Sequence, residues 1–147
     1  MSHKRLNWDE YFMEIAKTAS QRSDCMRAQV GAIVVNPRKK VKGSGYNNSP
    51  AGVEGCSDRG YCFRIKNKIQ SGTMYETCRS IHAEQNAIIQ AGEDNCAGSS
   101  IYIYGHNLVC ILCKRFILNS GIKKVFLKKD NSEEMLETDP QDWIAEL

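Results

Sequence analysis

The strongest constraint on the fold is an alternation of helix and strand patterns along residues 82–128. Apolar residues recur at helical spacing in 82–91 and again in 110–121. A short strand pattern follows each helix, SSIYIYG at 99–105 and KKVFLKK at 123–129. Strands that alternate with helices pair in parallel, because the helix carries the chain back across the sheet. This part of the chain therefore predicts a layered α/β fold.

The N-terminal half adds one helix and two strands. Residues 8–22 carry an apolar helical stripe, formed by Trp8, Phe12, Ile15, Ala16 and Ala19. The runs VGAIVV at 30–35 and VKGSGY at 41–46 flank the turn residues NPRKK and predict a hairpin. The predicted order is helix, two strands, a long loop, helix, strand, helix, strand and a tail. We expect one domain, residues 1–147.

The tail leaves the number of strands at four or five. A parallel crossover needs about a dozen residues, whereas a hairpin needs as few as about two. The turn Asp130-Asn131-Ser132 is short, so a strand at 134–138 should run antiparallel to 124–128. The alternative is that 132–138 is a loop. Asp139-Pro140 predicts the start of a closing helix that packs Trp143 and Ile144 on the domain.

Composition narrows the class of protein. The chain is 41% hydrophobic and 25% charged with a net charge of +3, which fits a small anionic ligand and does not demand nucleic acid. MSHKRLNWDE lacks the apolar core of a signal peptide, and no apolar run approaches the roughly 20 residues of a membrane span. We expect a cytoplasmic protein with no membrane contact. Seven cysteines then indicate metal binding or catalysis, because a reducing compartment disfavours disulfides.

Two helix starts carry the candidate chemistry. Cys110 and Cys113 have C-x-x-C spacing, so both sulfurs can converge beside a first turn, where the helix dipole favours thiolates. His82 and Glu84 stand at the start of the other helix. One imidazole and two thiolates are ligands that zinc prefers, and a fourth position left open is typical of catalytic zinc. Glu84, beside the ligands, would exchange protons with a metal-bound water and with a substrate.

An H-A-E segment followed by C-x-x-C at the start of a second helix is the pattern of zinc nucleobase deaminases. Together with WDEYFMEIA, RSDCMRAQVGAIVV, GYN and SGIKKV, it makes the chain resemble the cytidine and deoxycytidylate deaminase family over roughly residues 8–128, and most of all its deoxycytidylate branch. The resemblance implies a three-layer α/β/α sandwich around a central mixed sheet. It also implies zinc-dependent hydrolytic deamination, first of all of dCMP to dUMP with release of ammonia.

The resemblance also implies roles for single residues. Glu84 would take a proton from the water on zinc and deliver it to N3 of the pyrimidine, while hydroxide attacks C4 and ammonia leaves. Asn47, in the GYN segment, would contact the deoxyribose, and Arg27 is a candidate phosphate partner. A homo-oligomer, with a hexamer favoured, follows mainly from the resemblance, and the broad apolar surface of the first helix favours it too.

Three positions depart from the family pattern. Val109 stands where the family usually has a proline, which should loosen the helix start without removing a ligand. His106 stands where the family often has threonine, and the usual GYNG is GYNN here. His106 is therefore either a substrate contact or a structural histidine at a strand end. These changes leave open another substrate, such as a different cytosine compound or a purine nucleoside or base.

The long loop at 47–79 has little hydrophobic content, with a short helix predicted near 62–69. Four cysteines lie in or near it: Cys25, Cys56, Cys62 and Cys78. Four thiolates would form a closed structural zinc site that holds the loop, and the deoxycytidylate branch includes members with a second zinc. The alternative is four separate thiols. Cys96 is expected to be an unpaired thiol in a loop.

Other functional classes compete with a nucleotide deaminase. An enzyme that edits bases in RNA or DNA would need a broad basic surface and aromatic stacking positions, which the small net charge does not favour. A zinc-stabilised binding protein without catalysis would have no need for Glu84 beside the metal. A redox C-x-x-C pair would leave the H-x-E segment unexplained. Asn47 can instead serve only turn geometry.

Overall fold

The computed structural model describes residues 3–147, so the first two residues of the MSHKRLNWDE segment lie outside the described residues. In chain order, its helices and strands are α1 (Trp8–Ser20), β1 (Gly31–Val35), β2 (Val41–Tyr46), α2 (Cys56–Arg59), α3 (Phe63–Lys66), α4 (Ala83–Ala91), α5 (Glu93–Cys96), β3 (Ser100–Tyr104), α6 (Ile111–Ser120), β4 (Lys124–Lys128) and β5 (Met135–Thr138). Short 3₁₀ turns occur at Tyr75–Thr77 and Pro140–Glu146. None of the helices in the described range combines the length and the apolar character that crossing a bilayer requires.

The five strands form one mixed sheet in the order β2-β1-β3-β4-β5. β3 and β4 are parallel and joined by α6, as the alternation of patterns predicted. β1 pairs antiparallel with both β2 and β3. β5 pairs antiparallel with β4, so the predicted direction of the fifth strand is confirmed. The four-strand alternative is wrong, because residues 135–138 pair with the backbone of β4.

Helices cover both faces of the sheet and give the predicted three-layer α/β/α sandwich. Residues along each strand alternate between the two faces. The α1 face buries Phe12, Met13, Ala16, Ile33, Val35, Tyr102, Tyr104 and Phe126. The opposite face, covered by α4 and α6, buries Ala32, Val34, Ile101, Ile103, Val125 and Leu127 beside Ala87, Cys113 and Ile117. The second face carries the helix starts that hold the candidate ligands.

Two glycines let α4 approach β2 closely. A Cβ atom on Gly45 would overlap the backbone carbonyl of Ala83, and one on Gly43 would overlap α4 one turn further along. Asn86 donates from Nδ2 to the carbonyl of Tyr46 at 2.8 Å and joins the helix to the end of the strand. These contacts fix the start of α4 relative to the sheet, and with it the residues of the H-A-E segment.

Three local expectations are wrong. α1 ends at Ser20 rather than at residue 22. Cys96, expected in a loop, ends the short helix α5 and is fully buried. The closing helix is a 3₁₀ turn, in which Trp143 is buried but Ile144 is 56% exposed. Successive residues of a 3₁₀ turn point about 120° apart, so two neighbours cannot share one buried face.

Candidate metal and catalytic centre

Three predicted ligands meet at the starts of α4 and α6. His82 Nδ1 lies 3.3 Å from the Sγ atoms of both Cys110 and Cys113. Within residues 3–147, this is the only group of three or more His, Cys, Asp or Glu side chains whose ligand atoms all lie within 4.8 Å of one another. We call it the ligand cluster.

Helix capping positions each member of the ligand cluster. Cys110 is the N-cap of α6, and its Sγ accepts a hydrogen bond from the backbone N–H of Cys113 at 3.4 Å. His82 is the N-cap of α4, and its backbone N–H donates to Oε1 of Gln85 at 2.9 Å. Val109, in place of the family's proline, is buried in the core beside the start of α6. The two helix starts therefore present the imidazole and both sulfurs to one small volume.

Glu84 is buried beside the ligand cluster and is only 2% exposed. Its Oε2 accepts a hydrogen bond from the Cys113 thiol at 2.9 Å, and its Oε1 lies 3.2 Å from His106 Nε2. Burial raises the pKa of this carboxyl, but hydrogen bonds from His106 and Cys113 and the nearby His82 outweigh burial and lower the pKa. The lowered pKa favours the ionised form of Glu84, which is the form that can accept a proton.

The two thiols of the ligand cluster differ in acidity. The pKa of Cys110 is lowered to about 4, first by the adjacent Cys113 and then by His82, which both stabilise its thiolate. The pKa of Cys113 is raised, first by its hydrogen bond to Cys110 and then by burial. The hydrogen bond to Cys110 also raises the pKa of His82. The lowered pKa favours the thiolate of Cys110, and a metal would displace the proton of Cys113.

Two predicted substrate contacts are engaged with the backbone. Asn47 accepts from the Val30 N–H through Oδ1 at 2.9 Å and donates from Nδ2 to the Ala28 carbonyl at 2.8 Å. The exposed Arg27 donates from Nη1 to the Ile69 carbonyl at 3.3 Å. These bonds hold the segment before β1 against its neighbours. The deoxyribose and phosphate contacts stay predictions.

The four other predicted ligands do not meet. Cys56 is buried at the start of α2, Cys62 is the N-cap of α3, and Cys25 and Cys78 are half-buried. No three of them belong to a group of ligand atoms within 4.8 Å of one another in the described part of the chain. This arrangement therefore does not by itself fit a second metal ion.

A buried arginine, which sequence reasoning missed, holds the long loop. Arg64 is 5% exposed, and its guanidinium donates to the carbonyls of Gln70, Thr73 and Met74 at 3.1, 2.6 and 2.6 Å. It also donates to the hydroxyl of Thr77 at 2.8 Å. Residues 70–77, which we call the arginine-bound turn, are thus held by hydrogen bonds that the Arg64 side chain donates mainly to backbone carbonyls. Sequence patterns do not reveal which backbone carbonyls will accept these hydrogen bonds.

Tyr75, also missed, connects the arginine-bound turn to the ligand cluster. Its ring stands edge-on to the His82 ring, with centroids 5.6 Å apart. Burial raises the pKa of the Tyr75 hydroxyl, and the Cys110 thiolate raises it further. The same ring lies 6.0 Å from the Arg64 guanidinium. The only sequence signal for this contact is that the long loop directly precedes the H-A-E segment.

Comparison with known proteins agrees with this geometry. A family model described as the cytidine and deoxycytidylate deaminase zinc-binding region matches residues 6–129. The chain belongs to the cytidine and deoxycytidylate deaminase family. Among its relatives, the deoxycytidylate deaminase of Mycobacterium phage D29 is 39% identical over 132 residues, covering 86% of this chain and 98% of the relative. The deoxycytidylate deaminase of Schizosaccharomyces pombe is 36% identical over 121 residues, covering 82% of this chain but only 37% of that longer protein.

A solved structure of the family shares the fold. The crystal structure of dCMP deaminase from the cyanophage S-TIM5 in complex with dCMP and dUMP aligns with a TM-score of 0.60 and 25% sequence identity, covering 86% of this chain and 85% of that chain. The family membership predicted from the H-A-E and C-x-x-C motifs is confirmed.

Proposed function

We propose that the chain is a zinc-dependent hydrolytic deaminase that converts dCMP to dUMP and releases ammonia. The observation that carries the proposal is a buried Glu84 carboxyl beside three converging ligand atoms, of which it is not one. A purely structural metal site needs no such acid. The phage D29 and fission yeast relatives are deoxycytidylate deaminases, and the S-TIM5 enzyme binds dCMP and dUMP, which supports this substrate.

The donor set of the ligand cluster fits zinc. One imidazole nitrogen and two sulfurs match the ligand types of catalytic zinc sites that leave a fourth position open. His82, Cys110 and Cys113 would hold the zinc, which would supply Lewis-acid activation of the attacking water. Binding requires a neutral His82 and two thiolates, and the lowered pKa of Cys110 favours the first of these thiolates.

Glu84 is placed to carry protons during the reaction. Its carboxylate accepts a proton from the attacking water and delivers it to N3 of the cytosine. The water oxygen bonds to C4, and the bond from C4 to the amino nitrogen breaks. Glu84 takes the remaining proton from the hydroxyl on C4, so that the C4 carbonyl forms, and delivers it to the amino nitrogen, which leaves as ammonia. The carboxylate ends the cycle ionised, as it began.

Buried polar groups near His82 support a phosphorylated substrate. Nε and Nη2 of Arg79 and the hydroxyls of Ser80 and Ser49 are buried and have no hydrogen-bond partner among residues 3–147. The closest carboxylate oxygen, on Glu54, lies 3.9 Å from Arg79 Nη2. Ser49 and Ser80 flank the bridge between Asn48 and Ile81, so both lie on one short ribbon. Guanidinium and hydroxyl groups are good donors to phosphate oxygens.

Glu84→Gln tests the chemistry. Amide substitution removes proton transfer but keeps shape, so ammonia release should fall by at least about 10²–10⁴-fold with zinc content unchanged. His82→Ala is the matched contrast, because it should lose zinc together with activity. Near-normal turnover by Glu84→Gln would contradict the mechanism.

Substrate choice is tested by ammonia release from dCMP, deoxycytidine, dCTP, cytidine, cytosine and a tRNA, measured side by side. We expect dCMP to give the highest kcat/KM. Arg79→Gln should raise KM for dCMP much more than for deoxycytidine, which has no phosphate. An equal effect on KM for both substrates would show that Arg79 does not bind the phosphate.

We also propose that a second zinc binds Cys25, Cys56, Cys62 and Cys78. The Ser57 hydroxyl donates to the Asp24 carbonyl at 3.1 Å, so the segments that carry Cys25 and Cys56 already lie together. Metal binding would have to draw the thiols closer than they are in the structure. Freshly purified protein should contain two zinc ions per chain by elemental analysis. One zinc per chain would contradict the second site.

We propose a homo-oligomer, with a hexamer favoured by the family resemblance. Leu6, Trp8 and Tyr11 are each close to half exposed at the start of α1, which gives a second copy an apolar surface to cover. Sedimentation that shows only monomer at micromolar concentration would contradict this. A cytoplasmic location and a single domain over residues 1–147 are also proposals, which rest on composition and on the predicted order of elements.

A further inference from the structure

Both oxygens of the Glu84 carboxylate have a side-chain neighbour. Oε2 accepts from the Cys113 thiol at 2.9 Å, and Oε1 lies 3.2 Å from His106 Nε2. The side chain of Glu84 is 3% exposed, whereas that of His106 is 37% exposed. His106 therefore contacts the buried acid from the open side of the site.

The two neighbours of Glu84 differ in their relation to the ligand cluster. Cys113 belongs to the ligand cluster, so its sulfur is an atom that a metal would bind. His106 does not belong to it, so its Nε2 can hold Oε1 whether or not a metal is bound.

We propose that His106 is a positioning residue, which fixes the Glu84 carboxylate for proton transfer by donating from Nε2 to Oε1. The kinetic consequences rest on the proposed deaminase function. A buried carboxylate accepts hydrogen bonds and cannot donate them when ionised, so the hydrogen resides on Nε2. The role differs from the substrate contact and from the passive strand-end histidine considered in the sequence analysis.

The backbone before His106 is well fixed. Gly105 has φ 121°, and a Cβ atom there would overlap the carbonyl of Gln29. Its N–H donates to the Lys128 carbonyl at 2.9 Å. The chain therefore leaves β3 in one direction, toward the carboxylate. A threonine hydroxyl, one bond from Cβ, falls short of the reach of Nε2, which is three bonds from Cβ.

His106→Phe and His106→Gln form the matched pair for the kinetic test. Phenylalanine keeps the ring volume without a donor, so kcat for dCMP should fall by about 10-fold or more while KM changes less than about twofold, as the loss of a hydrogen bond to a charged group predicts. Glutamine can donate from its amide and should recover most of kcat. Leu108→Ala, in the same loop and 74% exposed, is the control.

Three kinetic outcomes would overturn the proposal. A rise in KM with unchanged kcat would make His106 a substrate contact. A fall in melting temperature with unchanged kcat would make it structural. In the Glu84→Gln background, His106→Phe should add little to the loss, and a full further 10-fold loss would show that it acts independently of Glu84. Zinc content should be unchanged in each variant.

A readout independent of turnover separates this proposal from the proposed function. In nitrogen-15 NMR of the zinc-loaded protein at neutral pH, the hydrogen on His106 Nε2 should give an observable resonance, because the hydrogen bond slows its exchange with water. That resonance should vanish in Glu84→Ala. A spectrum identical in the two proteins would overturn the hydrogen bond, whatever the activity. An inactive wild-type chain that still gives the Glu84-dependent resonance would refute only the deaminase assignment.

Discussion

Two groups of cysteines in this chain occupy different kinds of structure. Cys110 and Cys113 lie at the start of a helix packed on the sheet, and their sulfurs already meet His82 Nδ1 at 3.3 Å. Cys56 and Cys62 lie at the starts of two four-residue helices in a long loop, and no ligand cluster forms there in the described residues. Similar local positions therefore give a preformed ligand cluster in one region and no preformed cluster in the other.

The difference lies in what holds each helix start. α4 is fixed by its close approach to β2 and by Asn86, and α6 connects two parallel strands. The loop helices α2 and α3 are only four residues long each, and the arginine-bound turn is held by Arg64. A ligand site is preorganised where packed secondary structure already holds its ligands in place. Substitutions in the two regions test this contrast.

Cys113→Ser should have the largest effect. A serine hydroxyl is a poor zinc ligand, so the chain should lose one zinc and its measurable deaminase activity. Cys96→Ser is the matched control, because Cys96 is equally buried but belongs to neither group. Elemental analysis and ammonia release check both variants. If Cys113→Ser retained full zinc content and activity, the ligand cluster would not be the preformed zinc site that this contrast assumes.

Cys56→Ser addresses the other region. If the loop thiols bind the proposed second zinc, this variant should drop from two zinc ions to one while much of the deaminase activity remains. The ligand cluster itself is untouched, so its zinc should stay. Unchanged zinc content would mean that the loop cysteines are separate thiols, and the contrast between the two regions would become sharper.

The region around the ligand cluster was the easier one to predict from the sequence, for a physical reason. Hydrophobic periodicity located α4 and α6, and motif spacing placed His82, Cys110 and Cys113 at the starts of these helices. Packing of both helices on the sheet then brings the two helix starts together. The antiparallel direction of β5 followed from the shortness of the turn before it. Arg64 and Tyr75 were missed because their partners are backbone carbonyls and a ring brought near by the loop's path. Ile144 was misplaced because a 3₁₀ turn is hard to distinguish from an α-helix over a few residues.

Arg64→Met should destabilise the loop region. The substitution keeps an unbranched apolar stem but removes every donor, leaving buried acceptors without partners at a cost of about 3 kcal/mol. The melting temperature should fall by roughly 6–12 °C, and amide hydrogens of residues 70–77 should exchange faster. Arg59→Met is the control, since its guanidinium lies over the exposed Tyr61 ring. A negligible change would mean that something other than Arg64 holds the loop.

Tyr75 should have the smallest effect, because it touches the ligand cluster from the loop without being a ligand. Its ring edge packs against His82, and such aromatic contacts contribute about 0.5–1.5 kcal/mol. Tyr75→Leu should therefore weaken zinc binding by roughly 2–10-fold in a chelator competition, because His82 loses a neighbour that limits its rotation. Tyr75→Phe keeps the ring and should bind zinc within about twofold of the wild type. If Tyr75→Phe instead matched Tyr75→Leu, the hydroxyl near Cys110 would be the important contact. If neither variant differed from the wild type, the ligand cluster would be held by its helices alone, independently of the loop that covers it.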